Sequence, residues 1–172
     1  MKALFKAVIL TLLVCLSLFI IIAIFRDSAL DHYAKGVKYF ESGQIGLAEQ
    51  QIRIALQKNS ELAEAHLNLG VIYERKGWYD GAVESTRRGL EILERTQKTC
   101  VEGSSWQQTV SRAYGNLGVC EIKKAAIAES QSDRDRAKDH WILAMGHFKK
   151  AVELDPTNAS AQANLQKFKN AY

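Results

Sequence analysis

"HLNLGVIY" at 66–73 is followed at 114–121 by "YGNLGVCE", so Asn-Leu-Gly-Val returns after 48 residues. A weaker echo, "QANLQKFK", begins at Gln162 and sets Asn164 a further 48 residues on. In the first copy His66, Leu69, Gly70 and Tyr73 stand three or four apart, the spacing of one helix face. Ser60 is the expected cap of a helix over about 61–76, which Gly77 ends. A second helix is expected over about 79–96, with Ala82, Thr86 and Gly89 on one face. Small residues on both faces let two backbones approach closely, and Leu69 and Tyr73 fill the sides of that contact. The stretch therefore predicts an antiparallel helix hairpin, and its echo predicts a repeat.

The spacing resembles the tetratricopeptide repeat, a 34-residue hairpin with the signature W-x₂-L-G-x₂-Y, then A-x₃-F, then P. Residues 63–96 carry Leu69, Gly70, Tyr73 and Ala82, while His66 and Thr86 replace the usual aromatics. Residues 29–62 carry Gly36, Tyr39, Ala48 and Ala55. A third unit opens with Tyr114, Leu117 and Gly118 and closes with Ala144, Phe148, Ala151 and "LDP" at 154–156; Glu121 stands where Tyr is usual. The period of 48 is 14 longer than the family's 34, and those 14 residues fall between the second and third units, at 97–110. Another 14 fall inside the third, and a break at "ESQSD" (129–133) adds about seven residues to each of its helices. Seven residues are about two turns, so the packed face keeps its register. The resemblance implies an all-α solenoid of about three repeats, at 29–62, 63–96 and 111–158, plus a capping helix over 158–170, together a domain spanning 28–172.

The composition agrees. The chain of 172 residues has one Pro and 11 Gly, and after residue 26 it is rich in Ala, Glu, Lys and Leu. Lys2, Lys6 and Arg26 account for most of the net charge of +4, because the rest carries 20 basic and 19 acidic residues. No basic stripe of a nucleic-acid surface is present, so no nucleic-acid partner is expected. Residues 7–25 are 19 in a row without a charge. As a helix they reach ~28 Å, near the ~30 Å of a bilayer core. The expectation is a transmembrane signal anchor within 1–27, with the N-terminus cytoplasmic and the domain non-cytoplasmic, periplasmic in a bacterium. A cytoplasmic domain, or a chain secreted after cleavage, is the alternative. Cys100 and Cys120 are expected ~24 Å apart along one helix, too far for a disulfide.

In the family, stacked first helices line a concave groove. That implies a file of groove residues: Tyr33 and Val37 from the first unit, Leu67, Asn68 and Val71 from the second, Arg112, Asn116 and Val119 from the third, and Asn164 from the end helix. A carboxamide both donates and accepts, so Asn68, Asn116 and Asn164 suit a peptide backbone; the competing reading is that they tie adjacent helices together. The carboxylate clamp of some family members is not expected, because Tyr33 and Val37 stand where it needs basic and amide groups and Asn116 where it needs Arg. Trp78 is either an exposed binding hot spot or a ring folded onto its neighbour.

The sequence lacks HExxH, CxxC, GxSxG and a phosphate-cradling Gly loop, so neither catalysis nor a cofactor or metal is expected. His140 and His147 share a helix face without a further ligand at metal spacing. The reading is a membrane-tethered module that binds a protein or peptide partner and serves as a scaffold or assembly factor. The alternative is a self-assembling unit that forms homo-oligomers.

Overall fold

In a computed structural model the described residues are 12–17, 28–99, 103 and 105–171, with side chains to 168. From residue 28 on, seven helices follow one another among the described residues: α1 Ala29–Glu41, α2 Ile45–Lys58, α3 Ala63–Arg75, α4 Tyr79–Thr96, α5 Trp106–Ser130, α6 Arg134–Leu154 and α7 Ala159–Ala171. There is no strand among the described residues. Helices α1 with α2, α3 with α4 and α5 with α6 form three hairpins, each packed on the next, and α7 closes on α6 and α5.

The turns inside the hairpins repeat to the atom. Gly43 N–H donates to Phe40 O and Gln44 N–H to Tyr39 O. Gly77 N–H donates to Glu74 O and Trp78 N–H to Tyr73 O. Ser132 N–H donates to Glu129 O and Asp133 N–H to Ala128 O. The first donor of each pair is left-handed, with φ of 77°, 78° and 62°. Glycine adopts that conformation freely, and the first two hairpins use it. The third turn lies inside the expected break at 129–133, with Ser132 in the strained position.

Helix lengths follow the inserted residues. α6 has 21 residues against 14 in α2, and α5 has 25 against 13 in α3. The early start of α5 is fixed by a capping box: Ser105 Oγ accepts from Gln108 N, and Gln108 Oε1 accepts from Ser105 N. It brings Trp106 against the second hairpin, where the indole N–H donates to Leu93 O at 2.8 Å. The expected Ser60 cap is replaced. Leu62, 6% exposed, takes the N-cap position of α3, and Asn59 Oδ1 accepts from Glu61 N.

The core is two connected seams of small and large side chains. One runs through Ile52, Ile72, Ile92, Leu93, Val110 and Leu117; the other gathers Ala144, Phe148, Ala151 and Ala161. Cys120 is buried in the first seam with a free thiol, pushed up to about 12 by burial, which makes it inert. Cys100 lies outside the described residues.

The expected single-pass membrane placement is corrected. No helix among the described residues is long and apolar enough to cross a membrane. The longest, α5, carries Arg112, Glu121, Lys123, Lys124 and Glu129. Of the expected anchor at 7–25, residues 7–11 and 18–25 lie outside the described residues, and the helical piece at 12–17 spans only ~9 Å.

Candidate groove between the first helices

The hairpins stack so that α1, α3 and α5 present one face each to a shared concave cavity of about 480 Å³. Tyr33 and Val37 reach it from α1, and Leu67, Asn68 and Val71 from α3. Arg112, Asn116 and Val119 reach it from α5. These eight residues line one cavity. The ninth does not: Asn164 is absent from the lining, and its Nδ2 donates at 2.9 Å to Ser160 O on its own helix. The end of the cavity is formed instead by Asn158 and Ser160, at the start of α7.

Asn158 is a functional candidate that the repeat spacing misses. Its Oδ1 accepts from Ala161 N at 3.0 Å, which caps α7, and its Nδ2 donates to Ser111 Oγ at 2.9 Å. Ser111 is fully buried and donates in turn to Ala151 O at 2.7 Å. This chain ties α7, α5 and α6 together at the mouth of the groove. An Asn directly before an apolar-periodic segment is a cap signal in sequence, but its reach to Ser111 belongs to the tertiary fold.

The asparagines differ in state. Asn68 Nδ2 donates to the Tyr33 hydroxyl at 3.3 Å, so it bridges α3 to α1. Asn116 lies half-buried at mid-groove and makes no hydrogen bond among the described residues. Leu67 is 8% exposed and packs onto Gly89 of α4, so it forms floor rather than contact surface. Charge in the groove is mixed. Arg112 is exposed and has no ion-pair partner among the described residues, while Glu41 and the buried Glu64 also line the cavity. Glu64 accepts from Thr99 Oγ1.

Trp78 combines both of its readings. It remains 54% exposed, yet its ring lies 5.6 Å from that of Tyr73 and 3.9 Å under Lys76 Nζ. Glu121, at the position where the family has Tyr, is buried and joins His140 Nδ1 at 2.6 Å. Among the described residues no group of three or more His, Cys, Asp or Glu is arranged to hold a metal.

The His147 ring lies 6.0 Å from that of Tyr114, and its Nε2 is buried without a hydrogen-bond partner among the described residues. Burial pushes its imidazole below the usual histidine range, against a smaller opposing pull from Glu121. The unfolded chain therefore gains a proton near pH ~6.5 while the folded chain does not. Stability falls as pH falls from that value towards the lower folded pKa. Thermal melts at about pH 7.5 and about pH 5.5 are expected to show a smaller loss for His147→Gln than for the natural chain.

Residues 63–92, which span α3 and most of α4, match the family model described as tetratricopeptide repeat. No characterised protein matches the chain by sequence. Solved structures match in fold. The first tetratricopeptide domain of Spaghetti (RPAP3), bound to the HSP90 peptide SRMEEVD, is 18% identical, with a TM-score of 0.62 over 84% of this chain and 92% of that one. The Arabidopsis OM64 tetratricopeptide domain is 15% identical, with a TM-score of 0.61 over 84% and 97%. The second such domain of human RPAP3, in complex with the HSP70 peptide SGPTIEEVD, is 16% identical, with a TM-score of 0.58 over 82% and 94%. Residues 63–92 thus match the tetratricopeptide repeat, and the described residues have the fold of tetratricopeptide-repeat domains.

Proposed function

We propose that this protein binds an extended segment of a partner protein in the groove between α1, α3, α5 and the start of α7. The observation that carries the reading is Asn116. A half-buried carboxamide without an internal partner, at the centre of a concave surface, offers a donor and an acceptor to a peptide backbone. Asn68 and Asn158 flank it on neighbouring helices, so main-chain contacts can continue along the cavity. Val37, Val71 and Val119 supply apolar surface between them.

Peptide binding by the structural neighbours supports the mode but not the same ligand. Their HSP90 and HSP70 peptides end in acidic residues. Here one unpaired cation, Arg112, shares the groove with Glu41 and Glu64. A ligand with mixed or low charge suits this lining better than one ending in a cluster of carboxylates.

The test begins with a peptide library panned on the full chain, followed by titration of the best peptide. Asn116→Ala is expected to weaken binding by about 0.5–1.5 kcal/mol, or about 2- to 12-fold, with an unchanged melting temperature. Failure to enrich any peptide, or unaltered affinity in the variant, would overturn the proposal. The size of the chain across a concentration series separates this reading from self-assembly, which predicts growth with concentration.

A further inference from the structure

On the opposite side of the third hairpin, α6 and α7 enclose an apolar cleft of about 690 Å³. Its floor is Trp141, Ile142 and Met145 of α6 with Leu165 and Phe168 of α7. The Trp141 and Phe168 rings meet edge to face at 5.5 Å, and Ile142 is 53% exposed. Three cations border it: Arg134 and Lys138 towards one end and Lys149 at the other. None of the three has an ion-pair partner among the described residues. The single acid in the lining, Glu129, accepts the Trp141 indole N–H at 2.8 Å.

We propose that this cleft seats an amphipathic helix of a partner protein whose apolar face is flanked by acidic residues. Two observations specify a helix. Arg134, Lys138, Trp141, Met145 and Lys149 advance by three or four residues along one stripe of α6, ~22 Å long, which matches a helix of about four turns. Leu165 also stands 48 residues after Leu117 and 96 after Leu69. Leu69 and Leu117 are 7% and 1% exposed, each on the first helix of a hairpin whose second helix packs against it. Leu165, at the corresponding place on α7, is only half-buried and lines the cleft.

Charge chooses the partner. Three unpaired cations around an apolar seat complement carboxylates on the flanks of the incoming helix. A symmetric contact with a second copy would set these cations against their own equivalents, an arrangement that repels.

The test uses two synthetic peptides of about 18 residues with an identical Leu face, one flanked by Glu and the other by Lys. Each is titrated by fluorescence anisotropy against the full chain. The Glu peptide is expected to bind at least about tenfold more tightly, and Lys138→Glu combined with Lys149→Glu is expected to reverse the order. Ile142→Asp should weaken both. All three substituted positions are exposed, and the natural chain alone supplies the first comparison if a variant misfolds. Equal affinities, binding of neither peptide, or an unchanged order in the charge-reversed variant would overturn the proposal. So would a dimer that Ile142→Asp dissociates and the Glu peptide does not, because a second copy would then occupy the cleft.

Discussion

Phe148→Ala is expected to destabilise the chain by about 3–5 kcal/mol, the largest effect of any single truncation considered. Phe148 is fully buried where three helices meet. Its ring faces Gly118 of α5 so closely that a Cβ at 118 would stand 2.7 Å from Cε1. It also lies 6.1 Å from the ring of Phe168 on α7, amid Ala144, Ala151 and Ala161. Alanine would leave a void that these small neighbours cannot fill, because none has a side chain long enough to move in. The loss should reach function as well. Ala151 O holds Ser111, and Ser111 holds Asn158 at the mouth of the groove. Thermal unfolding should show a midpoint lower by about 6–20 °C. An unchanged midpoint would mean that Phe148 does not occupy this seam.

The hairpin faces were legible because they depend on periodicity alone. Gly70 and Gly118 lie where their three-and-four spacing puts them, against Thr86 and Phe148. The helix end at Gly77 was legible for a similar reason, since the left-handed backbone found there favours one residue type. Helix starts were less so. Ser60 has the better capping side chain, yet Leu62 takes the N-cap position because burying it stabilises more than an exposed hydroxyl cap. At Ser105 no such competition exists, and the capping box forms.

The groove was legible as a set of helix faces and not as a bounded cavity. Spacing places Asn68 and Asn116 on equivalent turns, and both face the same concavity. It places Asn164 equivalently too, but a repeat period carries no information about which turn of α7 closes the cavity. The cap residue Asn158 closes it, through a bond to Ser111 across 47 residues. Glu121 illustrates the same limit. As a departure from the family pattern it looks like a defect, yet His140 on the facing helix satisfies it. Buried polar pairs of this kind are invisible until the hairpin brings their members together.

Gly70→Leu is expected to cost about 1–3 kcal/mol or more, through overpacking between α3 and α4. A Cβ at 70 would stand 2.2 Å from Thr86 Oγ1 and 3.0 Å from Ala82 O. Thr86 is 1% exposed and has no room to withdraw, and the Ala82 carbonyl belongs to the helix ladder. Relief requires the two helices to separate. Truncating the nearer obstacle in Gly70→Ala with Thr86→Ala should therefore recover part of what Gly70→Ala alone loses, and a double-mutant cycle measures that coupling. Separation would also carry Asn68, two residues before Gly70, away from Tyr33 on α1, whose hydroxyl it now holds at 3.3 Å. Gly70→Leu should thus lower both melting temperature and groove affinity, whereas Asn116→Ala should lower affinity alone. If Gly70→Leu melts like the natural chain, the close helix contact is absent and the hairpin assignment of residues 63–96 falls with it.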